Sequence, residues 1–156
     1  MFILKVCRAL SRYKIPYALV GGHAVALHGA VRGTIDVDFI TKISLKNFKL
    51  IAHALSEIGL SSRLPITPED LFAFKDEYIK NRNLIAWNFI NTKNPSEQVD
   101  VVITFDLLGK KIHKMKLNKD VINVISKADL IEMKKISGRQ QDFIDIEALE
   151  VLDEKK

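Results

Sequence analysis

The chain has 156 residues, with 24 Lys and Arg against 19 Asp and Glu, a net charge of +5, and 47% hydrophobic residues. That is enough for one domain with a real core, and the mild basic balance permits a polyanionic partner without demanding one. No apolar run approaches the roughly 20 residues of a membrane helix, and the lone Cys7 excludes an intramolecular disulfide, so the chain is expected off the membrane, in a reducing cytoplasm.

Residues 2–13 set Ile3, Val6, Cys7 and Leu10 at helical spacing, interrupted by Lys5 and Arg8. This fits an amphipathic helix better than a signal peptide. Pro16 ends that helix and opens a strand over 17–20. Gly21-Gly22 then leads into a predicted helix over 22–28, an arginine loop, and a second strand ending at Ile40. Glycines at a helix N-terminus let backbone N–H groups approach a phosphate closely. The second strand carries Asp36 and Asp38, which period-two alternation puts on one side, opposite Ile35, Val37 and Phe39. Two carboxylates on an apolar strand repel each other and lose hydration, and a hard divalent cation such as Mg2+ or Mn2+ relieves both. A solvated surface strand is the alternative.

Ser44 is placed to cap a helix over 45–58, with Phe48, Ile51, Ala52, Leu55 and Ile58 as its apolar stripe and Gly59 as its stop. Residues 61–65 read as a connector, and Thr67-Pro68 starts a short helix through Phe74. From Asn83 the pattern turns to strands. Ile85, Trp87 and Phe89 share one face, with Trp87 as a core anchor, and 93–96 is a turn. In the next strand, 98–105, Val99, Val101, Ile103 and Phe105 oppose Asp100, Val102 and Thr104. If this strand lies beside the Asp36/Asp38 strand, three carboxylates converge, enough for one or two metal ions. Otherwise Asp100 is an edge acid in water.

Lys110, Lys111, Lys114, Lys116 and Lys119 follow in a strand or loop over 110–118 and read as a solvated face or as a phosphate-backbone contact surface. Ser126 to Asp129 is a capping box. The last region is two helices, or one kinked near Gly138, with apolar sets Leu130, Met133, Ile136 and Phe143, Ile146, Leu149, Leu152. Arg139 and Asp142 also have the spacing of an ordinary helix ion pair. His28, His53 and His113 show no metal-ligand spacing. His23 is the histidine close to the glycine turn.

Taken in order, Gly21-Gly22, Asp36-Val37-Asp38 and Asp100 give the pattern of the DNA polymerase beta-like nucleotidyltransferase superfamily, which the chain resembles over roughly residues 17–150. Arg32-Gly33-Thr34 resembles the Arg-x-Thr element of the small prokaryotic branch that includes the abortive-infection nucleotidyltransferase toxins. Lys134 with Arg139, Asp142 and Asp145 resembles that branch's Lys…Arg-x-x-Asp-x-x-Asp helix motif. The chain departs from the pattern where glycine replaces serine at the second turn position, and it is expected to lack the extra helical domain of larger members.

The resemblance implies an α/β (α+β) fold, a mixed, antiparallel-rich sheet flanked by helices. It implies a single domain with its core at about 15–120 and C-terminal helices at about 126–153. It implies transfer of a nucleoside monophosphate from a triphosphate such as ATP to an acceptor hydroxyl on tRNA or another RNA, a protein, or a small molecule. Asp36, Asp38 and Asp100 would be catalytic and hold Mg2+ or Mn2+, while Gly21, Gly22, Arg32, Thr34, Lys134, Arg139 and Asp142 would bind nucleotide. A toxin whose antitoxin or other regulatory partner blocks the site is one expected setting. A non-catalytic nucleotide- or RNA-binding module of the same fold is the alternative.

Overall fold

The computed structural model describes residues 1–154. Helix α1 (Phe2–Arg12) buries Ile3, Val6, Cys7 and Leu10 along one face, as their spacing requires. Strand β1 (Tyr17–Val20) runs directly into α2 (Gly21–Leu27), and β2 (Val37–Thr41) follows the arginine loop. Helix α3 (Leu45–Glu57) is capped by Ser44, whose hydroxyl accepts from the Asn47 N–H at 3.1 Å. Strand β3 (Ser61–Ser62) precedes α4 (Pro68–Arg82), capped by Thr67 with Pro68 in the first turn. Then come β4 (Ala86–Ile90), β5 (Gln98–Val102), β6 (Ile112–Leu117) and β7 (Asp120–Ile125). Helix α5 (Lys127–Ser137) ends at Gly138 with φ +63°, and α6 (Gln140–Glu154) turns back from it.

The strands form one sheet in the order β3-β4-β5-β2-β1-β7-β6. The pairs β1–β7 and β2–β5 are parallel and the other four are antiparallel. The expected mixed, antiparallel-rich sheet is therefore present. Register partners share a sheet face. One row, Leu19, Phe39, Val101 and Trp87, is fully buried. On this side the Phe48 ring of α3 meets Trp87 edge-on at 5.7 Å and Phe72 of α4 at 6.3 Å. The neighbouring row on the other face is Val20, Asp38, Asp100 and Asn88.

Several local expectations change. Residues 61–65 contain β3, a short edge strand held by pairing to β4. Helix α4 does not stop at Phe74: that residue takes φ −114°, ψ 20°, and the helix continues beyond the kink to Arg82. Strand β7, unassigned from sequence, lies inside the sheet, where burial of Ile122, Val124 and Ile125 gives an apolar run without clean alternation. Ile85, Ile136 and Phe143 are exposed rather than core, and β4 begins one residue after Ile85.

Candidate active site

The acids meet because β5 lies parallel to β2 with Asp38 opposite Asp100. Direct cross-strand partners have Cβ atoms only about 5 Å apart. Asn88 of β4 is the next partner in the row, and its Nδ2 donates to Asp100 Oδ1 at 2.8 Å and to Gln98 Oε1 at 3.3 Å. The Asn88 Oδ1 is buried without a partner. Sequence reasoning missed Asn88, whose only signal was its alternation with Trp87 and Phe89.

Electrostatics follow from this crowding. Burial first, then Asp100 and Asp36, push the Asp38 carboxyl up to about 7, with Lys134 opposing. Asp36 stands one residue before β2, and it too is raised, by burial and by Asp100, against the pull of His23 and Arg63. Burial lowers the His23 imidazole, against the opposing effects of the Ile35 carbonyl and Asp36. Among the described residues, no three His, Cys, Asp or Glu side chains, Asp36, Asp38 and Asp100 included, are grouped so that together they could hold a metal ion.

The glycine turn is required by the acids themselves. Gly21 has φ +67°, and a Cβ there would overlap Asp38 Oδ2. At Gly22 a Cβ would fall 2.7 Å from the Thr34 Cβ, so Thr34 packs directly onto the turn. No side chain caps α2, so its first N–H groups have no capping side chain.

Two adjoining cavities share Gly21, Asp38, Asp100, Lys134, Arg139 and Asp142. The larger, about 800 Å³, is polar and adds Gly22, Arg32, Thr34, Asp36 and Asp145. The smaller, about 170 Å³, runs under α5 between Val20, Ala86, Val102, Leu130 and Met133. Every residue expected at the site thus lines one cleft. None of the lysines between Lys110 and Lys119 lines either cavity.

The cations of the cleft wall are already partnered. Lys134 is buried, and its Nζ donates to Asp145 Oδ2 at 2.9 Å and to Asp142 Oδ1 at 3.5 Å. Arg32 Nε donates to Asp145 Oδ1 at 3.1 Å, and Arg139 Nε to Asp142 Oδ2 at 2.9 Å. The Arg139 backbone N–H reaches the same Asp142 oxygen at 3.1 Å, a cap for the start of α6. Burial alone would raise the Asp142 carboxyl, but its Arg139 contacts outweigh that and hold it below the usual range. Asp145, quoted in the sequence motif but given no role, is the hub that also accepts from Gln141 at 2.9 Å. Lys134 therefore pins α5 to α6 instead of standing free for phosphate.

No protein-family model matches the chain, and no curated protein sequence matches it. Solved structures match it by fold. The antibiotic-resistance factor ANT(2'')-Ia is 9% identical, with 95% of this chain and 80% of that one covered and a TM-score of 0.64. The lincosamide antibiotic adenylyltransferase LnuA, solved with lincomycin bound, is 14% identical, with 96% and 94% covered and a TM-score of 0.63. An antigenic nucleotidyltransferase-like protein from Paracoccidioides brasiliensis is 17% identical, with 97% and 73% covered and a TM-score of 0.60. These likenesses establish a nucleotidyltransferase-like fold.

Proposed function

We propose that the chain is a nucleotidyltransferase that moves a nucleoside monophosphate from a triphosphate to an acceptor hydroxyl. The observation that carries this is the in-register pairing of Asp38 with Asp100, crowded enough to push Asp38 up to about 7. Folding gains nothing from two facing carboxylates. Mg2+ or Mn2+ asks the protein for only one or two carboxylates and takes phosphate oxygens and water for the rest. Asp38 and Asp100 fit that demand, with Asp36 on the same cleft wall. When bound, the cation supplies charge neutralisation at the attacking and leaving oxygens.

The chain's own residues do the rest. Gly21 and Gly22 bring backbone N–H groups close to the leaving phosphates, with Asp38 and Thr34 packed into the space that a side chain would take at each. Thr34 holds the turn in place, and Arg32 and Arg139 line the cleft while anchored to Asp145 and Asp142. Asp100, with one oxygen held by Asn88, takes the acceptor's proton as the hydroxyl oxygen bonds to the α-phosphorus and pyrophosphate leaves.

The test is incubation with each labelled nucleoside triphosphate, Mg2+ or Mn2+, and fractions of cellular RNA, protein or small molecules. ATP comes first, since two of the fold neighbours concern adenylyl groups. Label should move to one fraction and fail to move with Asp38→Asn. Triphosphate binding with no label in any fraction would favour the non-catalytic module. On the resemblance alone, the reading extends to a toxin with an antitoxin partner, tested by seeking a co-purifying protein that stops the transfer.

A further inference from the structure

The row of register partners continues past Asn88. Ser61 pairs with Ile90 and Ser62 with Phe89, and the Arg63 N–H donates to the Asn88 carbonyl at 2.9 Å. Arg63 thus stands opposite Asn88, one position beyond β3. Alternation gives its side: the Ser62 hydroxyl accepts from Trp87 Nε1 at 3.1 Å on the core face, so Arg63 lies on the acid face. It is two strands from Asp100, about 10 Å across the sheet, and its charge is felt at Asp36. The charges of Arg32, Lys134 and Arg139 meet carboxylates, whereas the Arg63 guanidinium makes no hydrogen bond or ion pair with another described residue. The row therefore has the glycine turn at one end and an uncommitted guanidinium at the other.

We infer that Arg63 binds a phosphate ester carried by the acceptor, next to the hydroxyl that is modified. This rests on the nucleotidyltransferase reading: with triphosphate at the turn, the acceptor is left the Arg63 end of the row. A guanidinium engages phosphate through paired donors and repels cationic acceptors. The phosphate has two sources, a free nucleotide or the end of an RNA strand. Just beyond Arg63, Leu64 and Pro65 line an open groove with Tyr78 and Arg82, whose guanidinium lies 5.7 Å from the Tyr78 ring centroid. A strand would continue into that groove and a mononucleotide would not.

The test is equilibrium binding to the full chain, with the triphosphate cleft first filled by Mg2+ and a non-hydrolysable ATP analogue of measured affinity. The probes are adenosine, AMP and a fluorescein-labelled eight-nucleotide RNA. Arg63→Gln should weaken AMP and RNA roughly tenfold and leave adenosine, the ATP analogue and the melting temperature unchanged, and Arg63→Lys should recover part of the loss. Tyr78→Ala weakens RNA alone if a strand is the source, and neither probe if a free nucleotide is. Equal loss for adenosine, or no loss for AMP and RNA, overturns the role of Arg63. An ATP analogue that fails to bind wild type, while AMP still depends on Arg63, overturns the nucleotidyltransferase reading and leaves the phosphate site standing.

Discussion

The acid row on the sheet and the α5–α6 ion network face each other across one cleft, and they handle charge in opposite ways. In the row, Asp38 adjoins Asp100 with Asp36 near both, and the donor to Asp100 is the neutral Asn88 amide. In the network the signs alternate: Arg32, Asp145, Lys134, Asp142, Arg139. The Asp38 carboxyl is consequently pushed up to about 7, whereas Asp142 is held below the usual carboxylate range. Charges paired within the chain support the fold. Charges left unpaired call for compensation from outside, and this is the ground on which we propose a cation and phosphates at the row.

The largest effect expected from breaking this contrast is on activity. Asp38→Asn keeps the shape and removes the charge, so transfer should fall about a thousandfold, the rate equivalent of several kcal/mol of charge stabilisation. The same variant should melt at the same or a higher temperature without divalent cation, and gain less than wild type when Mg2+ and triphosphate are added. A destabilised apo variant with a wild-type ligand shift would mean that the row holds the fold together.

On the other side of the cleft the expected loss is in stability. Lys134→Met leaves two buried carboxylates facing each other, which should cost about 3–5 kcal/mol in denaturant unfolding. Adding Asp142→Asn and Asp145→Asn should return most of that loss. A neutral Lys134→Met would show that the network does not stabilise by pairing.

A smaller effect is expected at the turn. A Gly22→Val side chain would collide with Thr34, so the variant should lose about 1–3 kcal/mol of stability, seen as a lower denaturant midpoint. Its weakened triphosphate binding should accompany a damaged fold and not an intact one.

The pH dependence sharpens the comparison with the mildest perturbation. Between its ordinary value of 3.8 and about 7, folded Asp38 holds a proton that the unfolded chain has released. Cation-free stability should therefore fall as pH rises through that window, and Asp38→Asn should flatten the slope. Asp142 works the other way: its contribution is present above 3.8 and lost as pH falls through its depressed folded value. Asp142→Asn should flatten only that acid limb. Unfolding curves at a series of pH values without divalent cation read both.

What sequence determined on its own was local. Ser44, Thr67 and Ser126 cap helices through hydrogen bonds that span three residues, and Gly138 ends α5 through its own positive φ. The glycine turn, Asp36 and Asp38 lie within one short stretch, so their closeness along the chain could be read from alternation and turn geometry. What it could not determine was partnership. Sequence offered Asp100 only on the condition that β5 lie beside β2, and it was silent on Asn88 and Arg63, because cross-strand register depends on which faces the whole sheet buries. It placed Lys134 beside phosphate, yet the fold of α6 against α5 sets two carboxylates on its ammonium. A charge in a linear chain has no assigned neighbour. Only the tertiary structure decides whether it is compensated within the protein or left for a ligand.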